Sequence, residues 1–400
     1  MPSFAAAAAI FFLAINSLRH GPCYCLRPAR PHRYLPRPSP RARPARRRTS
    51  RSSGGGSGGR GRPHYRGTIR SSTPEEKIGQ YLRAVKPDLR VFDAPGVSRL
   101  TLVRPLSSNP ITPNYGRHLV SGSVAAAADD LVVLYAGDYR PAASYHGWYL
   151  LVDAASCSLS TIPGIPYVEC SSYTCGGYGT VVMAVARQGG GGGGAFVLAE
   201  LLFRFRRGVP TGALLCLWRS SSSSSEQRSE WVYKEGNLPA QVCSPWTVHQ
   251  SFSVQSRNLL CWADLVHGLL LCDLGRHCCD CEVDSSDSGM SFVPLPCSMS
   301  KKWRWNPRDI RTMACVDGTI KFLTIDGIRE GRPISLITYT LDLDGPSSPT
   351  WTQDTVLRLD DLWEDETFIS LGLPKITPVF PSLSTQEHDV IYLCIWVVWI

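Results

Sequence analysis

Residues 259–296 open as LLCWADLVHGLLLCDL, pass through a cysteine-rich stretch and return as MSFVPLP. Two short apolar runs meet near His267 and Gly268; a third, with Phe292 and Val293, ends at Leu295 and Pro296. Apolar runs of this length, punctuated by Gly and Pro, read as strands: a hairpin, then a third strand with a proline-bounded edge.

Working outward, four segments echo one another. They are 148–163, WYLLVDAASCSLSTIP; 214–239, LLCLWRSSSSSSEQRSEWVYKEGNLP; 269–296; and 336–359, LITYTLDLDGPSSPTWTQDTVLRL. Each has an apolar strand, a polar turn of variable length and a second strand, and the first three close on Pro. The echoes start about 55 to 67 residues apart, and further strand pairs lie between them, such as CVDGTIKFLTID with its Asp317-Gly318 hairpin turn. About four short strands per unit predict an all-β domain over residues 91–400, a propeller-like arrangement of short antiparallel sheets whose loops have grown. The rival is a β-sandwich in which the Leu-Pro endings are coincidence. Six Gly at 189–194 and six Ser at 220–225 cannot pack a core and read as swollen, disordered loops. The closing DVIYLCIWVVWI is too short to span a membrane and reads as a buried strand, either one that closes the domain or the last of a unit cut short.

Residues 1–72 have a different texture. An apolar, uncharged start gives way to Arg, Pro, Ser and Gly; residues 1–70 hold 15 Arg, no Lys and no acid. The remaining 27 basic residues face 33 acids, so residues 71–400 are −6 where the whole chain is +9. The basicity belongs to the tail, and nucleic-acid binding is open to the tail alone. The tail reads first as a disordered extension. It reads next as an organellar transit peptide, plastid more than mitochondrial because the prolines oppose an amphipathic helix. Last comes a secretory signal, which wants a basic residue before the apolar run, whereas the first is Arg19. The 15 cysteines, an odd number scattered singly through apolar runs (Cys216, Cys261, Cys272, Cys315, Cys394), read as reduced core thiols. No Asn opens a glycosylation sequon. The expected compartment is intracellular: cytoplasm or nucleus, or an organelle if the tail is an address.

Residues 73–90 are expected to be a short helix and linker. TPEEKIGQYLRAVKP offers Thr73 as N-cap, Pro74 in the first turn, Glu76 to complete a capping box, and Ile78, Tyr81, Leu82 and Val85 on one face; Pro87 is the expected stop.

The run LLCWADLVHGLLLCDL, then FVPLP, then RDIRTMACVDGTIKFLTID resembles the plant domain of unknown function 1618 family. The upstream FVLAELLF, EWVYKEGNLP and GWYLLVDAASCSLSTIP fit the same pattern, so the resemblance covers roughly residues 91–400. It implies no biochemical activity. It implies a layout similar to the propeller-like domains that follow F-boxes and serve as recognition surfaces. No F-box is evident, because residues 73–87 make one helix where several are needed, and the Arg-rich start is not part of the family pattern.

The chemistry-bearing residues are weighed against plainer roles. His277, Cys278, Cys279 and Cys281 are soft ligands, but adjacent Cys rarely share one ion and no second Cys pair supports them, so a polar loop is expected and no metal. Asp264 and His267 flank the central turn; a carboxylate beside an imidazole can serve acid–base chemistry. The preferred role of Asp264 is to accept turn N–H groups, with Gly268 supplying backbone freedom. Asp309, Asp317 and Asp326 sit beside turns in the same way. GGYG at 176–179 lacks the strand-to-helix setting of a phosphate loop, and no hydrolase, nucleotide or zinc-protease motif occurs. No catalytic residue and no cofactor are expected. Trp148, Trp231 and Trp262 lie in strands and read as core. Trp303, Arg304 and Trp305, in KKWRWNPRD, are the candidate interaction surface, because exposed Trp and Arg anchor binding hot spots. The expected function is a non-enzymatic protein-interaction module with an unidentified protein partner. The alternatives are a nucleic-acid-associated protein using the Arg/Gly tail, and an enzyme with a cryptic site at a propeller mouth.

Overall fold

The computed structural model describes residues 8–15, 80, 82–90, 99–103, 122–136, 147–166, 171–185, 195–220, 230–242, 246–277, 289–299, 306–328, 332–345, 348–385 and 390–398. Within the stretch expected to be a tail, Ala8–Ile15 forms strand β1 and pairs antiparallel with Ile391–Val398; the rest of residues 1–72 lies outside the described residues, as do the glycine run and all of the serine run but Ser220. Gln80, Leu82 and Arg83 are helical, and Leu82 is buried. Pro87 is not the helix stop. It lies inside β2 (Lys86–Arg90), opposite Leu102 of β3 (Arg99–Val103). In a two-stranded sheet every strand is an edge, and an edge tolerates a residue without an N–H.

From residue 122 onward the fold is mostly β, as expected, in consecutive antiparallel sheets. The first sheet is β4 (Gly122–Ala128), β5 (Leu131–Ala136), β6 (Trp148–Asp153) and β7 (Ser158–Pro163). The second is β8 (Thr174–Val185), β9 (Ala195–Arg206), β10 (Val209–Arg219) and β11 (Trp231–Gly236). The third is β12 (Gln250–Val254), β13 (Leu259–Asp264), β14 (Gly268–Asp273) and β15 (Met290–Pro294). The fourth is β16 (Arg311–Val316), β17 (Thr319–Asp326), β18 (Ser335–Asp342) and β19 (Thr350–Arg358). Every one of the four is a simple meander in chain order. The four sequence echoes are the third and fourth strands of these sheets. Two short helices follow that the sequence reading does not anticipate, α1 (Leu359–Glu364) and α2 (Glu366–Ser370). Asp365 caps α2, its carboxylate accepting the N–H groups of Thr367 and Phe368. The last sheet has β20 (Val379–Leu383), β21 (Ile391–Val398) and β1.

The sheets stack face to face in sequence order, and four apolar clusters each belong to a pair of neighbours, while a fifth packs Leu82 on the first sheet. In β9, Leu198 and Leu202 join the cluster shared with the first sheet, whereas Ala199, Leu201 and Phe203 join the one shared with the third. In β13, Leu260 and Trp262 face the second sheet, while Cys261 and Ala263 face the fourth. A sheet covered on both sides needs apolar residues at every position, so its strands read as unbroken runs such as LLCWAD rather than alternating ones. Trp262 and Trp231 are core, as expected; Trp148 is only half-buried.

The first strands of successive sheets lie side by side. Ser251 and Ser253 donate their hydroxyls to the carbonyls of Thr180 and Val182, in each case 71 residues back, so β12 runs parallel to β8. Gln250 joins β12 to β16: its amide donates to Thr312 Oγ1 at 3.0 Å and accepts the Met313 N–H at 2.7 Å. Three first strands bulge near their starts: β4 between Val124 and Ala126, β8 between Cys175 and Thr180, and β20 between Val379 and Ser382. The Asp317-Gly318 turn forms as expected, both residues having positive φ.

Candidate functional site

The densest polar constellation sits at one end of the third and fourth sheets. Asp264, at the end of β13, is fully buried. Its Oδ2 accepts the Thr247 N–H at 2.9 Å and lies 3.0 Å from His267 Nδ1, and its Oδ1 accepts the Val266 N–H at 2.8 Å. Nδ1 of His249 lies 3.2 Å from the Leu265 N–H and 3.5 Å from Asp264 Oδ1. One ring nitrogen cannot accept from the first and donate to the second, so the tautomer of His249 selects between them. Burial alone pushes the Asp264 carboxyl up. The hydrogen bonds, from His249, the Thr247 N–H, His267 and the Val266 N–H, outweigh it and hold the carboxyl below its ordinary 3.8. The expected turn-holding role of Asp264 therefore has three protein partners besides His249.

Gly268 is constrained for a different reason from the one the sequence suggests. Its φ is not positive; a Cβ there would stand 2.4 Å from the Phe292 ring and 2.5 Å from the Val293 carbonyl. Space, not backbone freedom, excludes a side chain.

Arg311, the first residue of β16, is buried between the same two sheets. Its guanidinium donates to the Leu265 carbonyl at 2.9 Å and the Ser298 carbonyl at 3.2 Å, and lies 3.5 Å from Cys297 Sγ. Burial lowers its pKa below the ordinary guanidinium value. Burial likewise raises the Cys297 thiol, against the opposing pull of Arg311, so Cys297 is not a ready thiolate. Among the described residues two buried donors, Trp246 Nε1 and Arg311 Nε, have no acceptor.

A second buried carboxylate, Glu200 of β9, accepts from the Thr180 hydroxyl at 2.6 Å and the Tyr149 hydroxyl at 3.1 Å, with Cys175 Sγ at 3.6 Å. Tyr149 belongs to the first sheet, so this carboxylate ties the first sheet to the second.

Chemically, Asp264 orients His267, whose ring is half-buried and whose Nε2 has no hydrogen-bond partner among the described residues. That is two parts of a proton-transfer device. The remaining parts, a nucleophile beside Nε2 and donors for an oxyanion, have no counterpart among the described residues. Nor do three His, Cys, Asp or Glu side chains converge there as metal ligands. Of the expected metal candidates, Cys278, Cys279 and Cys281 lie outside the described residues, and His277 is described by its backbone only. Trp303, Arg304 and Trp305 also lie outside them.

GGYG is part of β8 rather than a loop: Gly177 (φ +134) bridges to Val248, and Gly179 gives its carbonyl to Trp262 Nε1 at 2.8 Å. Thr247, His249, Glu200 and Arg311 are absent from the sequence-derived candidates. A signal existed for two of them, since Glu200 stands alone in FVLAELLF and Arg311 shares the inward parity of Met313 in RTMACV.

No helix among the described residues is long and apolar enough to cross a membrane. The family model described as "Protein of unknown function (DUF1618)" matches residues 262–392, from the buried Trp262 to Tyr392 in β21. No curated protein matches the chain.

Proposed function

We propose that this chain, whose residues 262–392 belong to the DUF1618 family of proteins of unknown function, is a non-enzymatic protein-interaction module built as a propeller-like ring of sheets. One observation carries the reading: the buried polar groups are committed to holding sheets and turns together. Asp264 and Arg311 hold the Leu265 turn, and Glu200 and Gln250 link neighbouring sheets. Parallel first strands lying side by side support the ring, because stacked meanders joined this way turn about a common axis. The surface left for function is the ends of the sheets, and Trp303, Arg304 and Trp305, which fall in sequence between β15 and β16, remain the candidates the sequence offers.

The test is proximity labelling in cells with the full chain, compared with a W303A/R304A/W305A variant of equal abundance. Loss of a defined set of neighbours in the variant supports the reading. An identical neighbour set, together with turnover of a small molecule by the purified protein, overturns it. The rival enzyme reading has the open Nε2 of His267 in its favour; it requires that His267→Ala abolish such turnover.

A further inference from the structure

The start of β8 gives up its regular ladder between Cys175 and Thr180, and Gly177 takes a φ of +134 with Val248 close behind it. The result is Tyr178 held out from a rigid strand, 49% exposed, its own N–H fixed to the Val248 carbonyl at 3.0 Å. The Arg308 guanidinium stacks on that ring, 4.6 Å from its centroid. Arg308 belongs to the tight turn Pro307–Asp309, locked by a reciprocal capping box between Asn306 and Asp309. That turn also packs against β20, where Phe380 is 38% exposed and has a φ of +53. A bulky residue in the left-handed region is strained, and such strain persists where the surrounding structure imposes it, often at binding sites. Bulges likewise re-aim side chains beside functional sites. Two bulged strands and one capped turn thus bring an exposed Tyr, an exposed Phe and a cation to one end of the sheets.

Among the described residues the Arg308 guanidinium makes no ion pair. The sequence around it, KKWRWNPRD, has four cations and one acid, Asp309, although residues 71–400 are net acidic. We infer that Tyr178, Arg308 and Phe380 form a docking patch for an acidic peptide segment of another protein, whose carboxylate meets Arg308 while an adjacent apolar side chain packs on the two rings. The inference rests on the protein-interaction reading above and gives it a place and a partner chemistry. An Arg stacked on an exposed aromatic ring has hot-spot composition. A nucleic-acid strand fits less well, because it needs a run of cations on a body that is not itself acidic.

The experiment pans the purified full chain against a phage-displayed library of random linear peptides and measures the enriched peptides by fluorescence anisotropy. The expected peptides carry Asp or Glu within a residue or two of Trp, Phe, Tyr or Leu. Their binding weakens about tenfold or more in Tyr178→Ala, at an exposed site, and in Arg308→Glu, at a half-buried one, with melting temperatures unchanged. Arg257→Ala, at the opposite end of the sheets, has no effect. Arg308→Glu regains affinity for peptides whose acid is replaced by Lys, which a merely damaged fold cannot do. Enriched peptides indifferent to Tyr178 and Arg308 would sink the patch and leave the interaction reading standing. A library that yields no binder counts against both. Tighter binding of single-stranded oligouridine than of any peptide, lost in the same two variants, would replace the acidic peptide with nucleic acid.

Discussion

Trp351 of β19 donates its indole N–H to the carbonyl of Pro294 at 2.8 Å, across the gap between the third and fourth sheets. Trp231 of β11 does the same to Pro163, also at 2.8 Å, between the first and second. In both cases a fourth-strand Trp reaches the proline that ends the fourth strand of the preceding sheet. Pro163, which closes the first sequence echo, and Pro294, which ends β15, thus have partners, not only a role in stopping strands. Replacing Trp231, which is buried, by Phe strands a carbonyl and leaves a gap, costing about 1–3 kcal/mol. Trp351→Phe costs under about 1 kcal/mol, because water can replace the lost donor at the more exposed Pro294. Urea midpoints of the two variants check the order.

Arg311 separates packing from charge. Arg311→Ala removes both donors and the aliphatic stem, and about 3–5 kcal/mol of destabilisation is expected. Arg311→Met keeps the volume and removes a buried charge that makes no ion pair among the described residues, so about 1–2 kcal/mol is expected. Denaturant unfolding that gives Met the same cost as Ala would mean that the two carbonyl hydrogen bonds, not the filled space, are what matters.

Asp264 should be visible in the acid limb of the stability curve. Its folded carboxyl lies below its ordinary 3.8, so its stabilisation is fully present above that pH and is lost as pH falls through the folded value. Asp264→Asn abolishes that contribution. The variant is less stable at pH 7 by about 2 kcal/mol, and the gap closes as pH drops below 3.8. Urea unfolding at neutral and acid pH measures the gap directly; one that widened in acid would contradict the assignment.

Thiol reactivity should follow burial. Burial raises the Cys272 thiol to about 12 and the Cys261 thiol well above its ordinary 9.0, while Cys157 is exposed in a turn. At mildly alkaline pH, iodoacetamide followed by peptide mass spectrometry should label Cys157 in the native protein, and label Cys261 and Cys272 only after unfolding. Early labelling of Cys272 would mean that the third sheet opens locally.

What the sequence disclosed was decided by which surfaces are covered. The third strands of the first three sheets are buried on both faces, so Trp148, Leu214 and Leu269 announce themselves as starts of apolar runs, whereas β18, from Leu336 on, mixes buried and half-buried positions. The first strands are harder to see because hydrogen bonds replace apolar contact. Ser251 and Ser253 make QSFSV look like a surface strand, yet their hydroxyls are spent on the carbonyls of β8. Helices α1 and α2, in LDDLWEDETFIS, are one or two turns long and give no sustained periodicity. The site was half legible: Asp264 and His267 stand out at a turn, whereas Thr247, His249 and Arg311 reach it from other strands, and no local pattern links residues that far apart. Tyr178 and Arg308 are likewise 130 positions apart in the chain and meet only through a bulge and a capped turn.

The meander layout also divides the labour of lengthening the chain. Within each sheet, the links from first to second strand and from third to fourth leave from one end; the link from second to third leaves from the other, where Tyr178, His267 and Arg308 gather. The glycine run joins β8 to β9, the serine run joins β10 to β11, and the cysteine-rich stretch joins β14 to β15, so these three insertions leave from the first end, while the link of residues 137–147 between β5 and β6 leaves from the other. That end is where this scaffold has room to accept foreign cargo. A fluorescent protein spliced between Ser222 and Ser223 should leave the folding of the sheets and the opposite end intact, turning the chain into an internally labelled reporter.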